Sequence, residues 1–148
     1  MPSELKFNIK YRVPTNILYE TLTNPIEIMK FTQCKAEFSK EVNGTFNFYD
    51  GFITGSNVEL VENKKLIQKW KFSNLPNSFD VIMNFKENQG KESMIQIIVK
   101  NIPEKDNLNS SVDLKSIEKG FRTQIFEKIQ NWLGYPMNND VSSDTESD

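Results

Sequence analysis

The sequence predicts an α+β fold in which a curved antiparallel sheet wraps around a long C-terminal helix, with two short helices following the first strand. Three stretches carry that expectation. Leu5, Phe7, Ile9, Tyr11 and Val13 alternate with polar residues, the period of a strand with one buried face. Between Gly44 and Trp70, GTFNFYDGFITGSNVELVENKKLIQKW holds three strand-like runs separated by Asp50-Gly51, Gly55 and Asn63-Lys64, and Phe46, Phe48, Phe52, Ile53, Leu60, Leu66 and Trp70 give it an apolar interior. Near the end, Leu114, Ile117, Phe121, Ile125, Ile129, Trp132 and Leu133 step by three or four along one helical stripe.

Taken in order, the first strand runs over 5–13 and stops at Pro14. Thr15 is placed to cap a short helix whose apolar side is Ile17, Leu18 and Leu22. Asn24 then caps a second short helix, with Pro25 at its first position and Glu27 in the first turn, where its charge favours the helix dipole. Residues 33–40 read as a strand, and Asn43-Gly44 as a hairpin turn because both tolerate positive φ. Strands are predicted over 45–49, 52–61, 65–72, 79–87 and 92–100, with turns at Asn74–Asn77 and Asn88-Gln89-Gly90. Ser110 or Ser111 is placed to cap a helix over 112–133 of about six turns, answered by Asp113 as in a capping box. Phe126 lies at the edge of its apolar stripe. Gly134 and Pro136 supply a stop, and Gly120 inside the helix suggests a close approach to the sheet.

Composition narrows the function classes. The chain has 148 residues, long enough for one domain with a real core, and eleven are Phe. Residues 1–137 read as that domain and 138–148 as a disordered, acidic, serine-rich tail. The last nine residues hold Asp140, Asp144, Glu146 and Asp148, so the body is mildly basic although the whole chain has a net charge of −2. That balance does not argue for nucleic acid. No run approaches the roughly 18 apolar residues of a membrane helix, and no signal peptide is legible at the start. A single cysteine, Cys34, excludes an intrachain disulfide; with no histidine present, neither a His-based catalytic triad nor a His-ligated metal site can form. A cytoplasmic, monomeric, non-catalytic protein without cofactor is the expectation.

The order of elements matches the START-like helix-grip fold. Within it the sequence resembles the activator of heat-shock protein 90 ATPase family, and most closely the C-terminal domain of the two-domain activators. The resemblance runs from about Phe7 to Tyr135. Its anchors are Pro14, Leu18-Tyr19, Leu22-Thr23, Gly44, Phe46, Asp50-Gly51, Thr54-Gly55, Glu59-Leu60-Val61, Lys64-Lys65, Lys69-Trp70 and Phe72, then Ile102-Pro103, Lys119-Gly120-Phe121, Ile129 and Leu133-Gly134-Tyr135. It implies a co-chaperone that binds heat-shock protein 90 and stimulates its ATPase by favouring the closed, N-terminally dimerised state. The N-terminal clamping domain of two-domain activators has no counterpart in this sequence, so weaker binding or stimulation is expected.

Lys64, Lys65, Lys69 and Lys71, positive charges beside the family motif, are the candidate partner contacts. Trp70, Phe72, Phe85, Ile97, Phe121 and Ile125 are candidates to line a cavity for a small hydrophobic ligand, the alternative function, although such stripes also build ordinary cores. Ser143 and Thr145, each followed by acidic residues, are candidate phosphorylation sites in the tail, where a phosphate would add roughly −1.5 to −2 charge.

Overall fold

Seven antiparallel strands form one sheet in the order β1-β7-β6-β5-β4-β3-β2. They are β1 Glu4–Tyr11, β2 Glu37–Phe38, β3 Thr45–Phe48, β4 Ile53–Val61, β5 Lys65–Phe72, β6 Phe79–Asn88 and β7 Glu92–Lys100. The computed structural model describes residues 4–88 and 92–133. The sheet is curved and does not close, and the helices α1 (Thr15–Thr23), α2 (Pro25–Thr32), α3 (Leu114–Phe121) and α4 (Glu127–Leu133) complete the predicted helix-grip arrangement. The predicted turn at 88–90, the stop at Gly134 and Pro136, and the tail with Ser143 and Thr145 lie wholly or partly outside the described residues.

Strand alternation divides the chain between two faces. Phe7, Ile9, Val81, Met83, Ile95, Ile97 and Val99 are buried on the inner face, beneath the long helix. Phe121 sits at the centre of that core, its ring 5.0 Å from Trp70, 6.0 Å from Phe72, 6.2 Å from Phe7 and 6.3 Å from Phe79. Tilted and edge-on ring pairs of this kind add to the burial of apolar area.

Local details depart from expectation where side chains found other partners. Thr15 does not cap α1. It is the first helical residue, Pro14 holds the cap position, and the Thr15 N–H and hydroxyl both donate to Glu87 Oε1, at 3.2 and 2.9 Å. This ties α1 to β6. Asn24 caps α2 as predicted, its Oδ1 accepting from the Ile26 N–H at 2.9 Å. The expected strand over 33–40 shrinks to Glu37–Phe38, because Gln33 adopts the left-handed conformation and closes α2 instead. Of the Asn43-Gly44 pair only Asn43 has positive φ. Gly44 is needed for space: a Cβ there would lie 2.3 Å from the Ser39 carbonyl oxygen.

The C-terminal helix starts at Leu114, not Val112, and Asp113 itself is the cap, accepting from the Lys115 N–H at 3.1 Å. It is also not one uniform helix. Arg122–Phe126 forms a π turn in which the Glu127 N–H reaches the Arg122 carbonyl. The extra residue shifts the helical phase, so Ile125 and Phe126 are both buried and Ile129 follows them into the core. Phe126 is therefore a core residue. Beyond it, Trp132 is 43% exposed and leaves the predicted stripe, with the Lys30 Nζ 5.8 Å from its ring centroid.

Candidate functional site

Two surfaces offer sites, one on each side of the sheet. The outer face is an array set by register. Its first row reads Glu4, Lys100, Asp80, Lys69 and Ser56 across β1, β7, β6, β5 and β4. Charges alternate there, and Lys69 Nζ lies 2.6 Å from Asp80 Oδ1. The next row, Lys6, Ile98, Ile82, Ile67 and Glu59, has three half-buried isoleucines at its centre. Asn8, Gln96, Asn84, Lys65 and Val61 make the third, in which Asn84 Nδ2 donates to Gln96 Oε1 at 3.1 Å. Lys10, Met94 and Lys86 make the fourth. Burial raises the carboxyl pKa of Asp80, but hydrogen bonds from Lys69 and Asn101, with the Lys69 and Lys100 charges, outweigh it and hold the group below its ordinary value.

On the helix side a groove of about 490 Å³ opens between α3 and the turn from β3 to β4. Phe52, Phe72, Ile117 and Gly120 give its apolar wall, and Asn74, Ser116 and Gln124 its polar margin. Gly120 was expected to mark a close approach, yet a Cβ there would meet nothing within 4 Å. Its lack of a side chain keeps the groove open. Phe52 is 45% exposed and stacks on Phe72 with centroids 5.7 Å apart. Tyr49, Asp50 and Gly51 all have positive φ, an unfavourable conformation for a tyrosine. Two contacts hold this turn: the Tyr49 hydroxyl donates to the Gln124 carbonyl at 2.5 Å, and the Gly51 N–H donates to Asn47 Oδ1 at 2.7 Å. Burial, with a contribution from Cys34, pushes the Tyr49 phenol up to about 12.

Between the surfaces runs a buried polar chain. Trp70 Nε1 donates to Gln68 Oε1 at 2.8 Å, Gln68 Nε2 to Asn57 Oδ1 at 2.9 Å, and Asn57 Nδ2 to the Ser39 and Glu41 carbonyls. It fixes the loop before β3 to the core tryptophan, and each member satisfies the next.

A sequence model of the family described as Activator of Hsp90 ATPase homolog 1-like protein matches residues 12–134. The chain belongs to this family. Among curated relatives it is 35% identical over 88 residues to mouse activator of 90 kDa heat shock protein ATPase homolog 2, a match covering 58% of the chain and 26% of that protein. It is 24% identical over 120 residues to human homolog 1, covering 80% of the chain and 33% of that protein. The matched segment thus spans about a quarter to a third of these relatives. The fold is similar to the crystal structure of an HSP90 activator from Plasmodium falciparum, with a TM-score of 0.82, 24% identity and coverage of 92% of this chain and 98% of that one.

In this activator-family domain the four predicted contact lysines do not form one cluster. Lys65, Lys69 and Lys71 stand on the outer face of β5, Lys69 already paired with Asp80, while Lys64 is exposed in the turn before it. The six candidate cavity residues are all buried. Trp70 and Phe121 pack ring against ring, and Phe72 is the one that reaches the groove. Sequence reasoning missed Lys6, Lys10, Lys86 and Lys100, which pairing brings onto the face that carries Lys65. The alternation of polar positions in β1, β6 and β7 was the available signal; the register was not. Among the described residues no group of three or more His, Cys, Asp or Glu side chains could hold a metal ion, and no helix is long and apolar enough to cross a membrane.

Proposed function

We propose that the chain is a co-chaperone module that binds heat-shock protein 90 and raises its ATPase rate. The observation that carries this reading is the family match over residues 12–134. The mechanism is a population shift. Contacts available only in the closed, N-terminally dimerised chaperone favour that state, whereas equal affinity for open and closed forms would stimulate nothing. A tenfold preference corresponds to about 1.4 kcal/mol, within reach of a few charge-assisted contacts. Lys64, Lys65, Lys69 and Lys71 are the polar contacts of this reading, and the protein acts as a cytoplasmic monomer.

The test is the chaperone's steady-state ATPase rate with rising amounts of this protein, with a specific chaperone inhibitor to subtract background. A saturable rise is the expected result. No rise, together with no binding in the presence of a nonhydrolysable nucleotide, overturns the reading.

The groove beside α3 favours a second function, retention of a small hydrophobic ligand with a polar end facing Asn74, Ser116 and Gln124. Its volume lies in the usual range for small-molecule sites, roughly 300–1,000 Å³. An apolar fluorescent probe that binds wild type and is displaced by cellular lipid extract supports it; equal probe binding by Gly120→Leu, which fills the groove, argues against it.

A further inference from the structure

We propose that the outer face of the sheet docks an acidic protein surface, engaging it through Lys6, Lys10, Lys65 and Lys86 around the half-buried isoleucines Ile67, Ile82 and Ile98. This deepens the activator reading and rests on it: the partner surface is taken to be the chaperone's. Register, not proximity in sequence, makes the patch. Lys10 and Lys86 flank Met94 from the two strands beside β7, which puts their backbones roughly 10 Å apart, two strand spacings. That separation is small against an interface of about 800 Å² per partner, so one partner surface can span both charges. The third and fourth rows, containing Lys65, Lys10 and Lys86, hold no acidic residue, and Glu92, exposed one position further along the same face of β7, is the acidic residue beside them. Among the described residues the only lysine of this face with an ion pair is Lys69, in the charge-balanced first row. The second row sets Lys6 against Glu59, so the unbalanced positive charge is that of the third and fourth rows, and it is left for an outside partner.

The apolar centre decides between classes of acidic partner. Ile98, Ile82 and Ile67 lie side by side across three strands, half-buried by their neighbours, and among the described residues no layer packs over them. A partner that brings apolar side chains to this stripe and carboxylates to its lysine rim removes apolar area from water and neutralises the lysines together. Phosphates of a bilayer or a duplex offer charge without that apolar match, and they would meet Glu4, Asp80, Glu59 and Glu92 on the same face. A folded protein surface with carboxylates around an apolar spot fits both features.

The test measures binding of the full chain to heat-shock protein 90 with a nonhydrolysable nucleotide, at low and physiological salt, alongside ATPase stimulation. The pair Lys10→Glu with Lys86→Glu is compared with Lys115→Glu and Lys119→Glu, exposed positions on α3 that give the same change in net charge. The outer-face pair is expected to weaken binding about tenfold or more and to flatten its salt dependence, while the helix pair changes it less than about twofold. Lys10→Gln with Lys86→Gln should give an intermediate loss, and an unchanged melting temperature separates docking from folding. Ile82→Ser should weaken binding without changing the salt slope. If wild type binds and stimulates but both charge-reversal pairs behave alike, the docking face is wrong and the activator reading stands. If wild type neither binds nor stimulates, both fall. Tighter binding to phosphatidylserine vesicles or to a 20-base-pair duplex than to the chaperone, lost in the outer-face pair, would overturn the commitment to a protein partner.

Discussion

The two faces of the sheet are built from alternate residues of the same strands, yet one is closed and the other left open. Val81 is fully buried beneath the helix, while Ile82, its neighbour in the chain, is half exposed across the backbone. Inside, rings converge on Phe121, and the polar groups that enter are bound in a chain from Trp70 to the Ser39 and Glu41 carbonyls. Outside, three isoleucines are bordered by lysines of which, among the described residues, only Lys69 has an ion pair. Stability therefore resides on the inner face, recognition is proposed for the outer one, and substitutions should separate them.

The sharpest way to break that division is Phe121→Ala. It removes the ring shared by Trp70, Phe72, Phe7 and Phe79, and should cost about 3–5 kcal/mol in chemical denaturation. Ile82→Ala, on the other face, should cost about 1 kcal/mol or less. A loss at Ile82 equal to that at Phe121 would mean that the outer face is part of the fold's own core. Next in size is Gln68→Leu, which leaves the buried Trp70 N–H without its acceptor and should destabilise by about 1–3 kcal/mol. A shift in tryptophan emission provides an independent readout.

Two glycines sharpen the same contrast with opposite signs. A Cβ at Gly55 would lie 2.1 Å from the Lys69 carbonyl oxygen and 2.4 Å from the Phe46 ring, so Gly55→Ala should be clearly destabilising in thermal melts. At Gly120 a Cβ meets open space, and Gly120→Ala should gain roughly 0.5–1 kcal/mol by helix propensity while narrowing the groove.

The smallest effect concerns pH. Burial raises the Tyr49 phenol to about 12, above its ordinary value near 10. A raised folded-state pKa means that the neutral phenol is favoured by folding. Its contribution is fully present below about pH 10 and is lost as pH rises towards 12. Burial raises the Tyr11 phenol as well, so absorbance at the phenolate band should show more than one late-titrating tyrosine, of which Tyr49→Phe removes one. A Tyr49 titration near pH 10 would mean that this phenol is not buried in solution.

Much of this division was legible from residue order. Alternation in 5–13, 79–87 and 92–100 identifies inward and outward positions because side chains of a strand point to opposite faces. The Asn24-Pro25 start of α2 was readable because its cap bonds a residue two positions away. Features that bond to distant partners were not. Thr15 carries a capping residue's signature but spends its hydroxyl on Glu87. The π turn has no sequence mark; it occurs where the Tyr11 and Tyr49 hydroxyls, brought in by the sheet, donate to the Phe126 and Gln124 carbonyls. Gly120 looked like a contact point because a glycine inside a helix signals that something is close, whereas here it borders a groove.

The sequence by itself therefore determined the elements, their order, the composition of each strand's two faces and the family to which the chain belongs. Only the tertiary structure decided which faces meet. Register places Lys10, Lys86 and Lys65 on one surface, leaves Lys69 neutralised by Asp80, and opens a groove where the helix lacks a side chain. The physical reason is that periodicity is a property of each segment alone, whereas neighbours across strands are fixed by the joint packing of the whole chain.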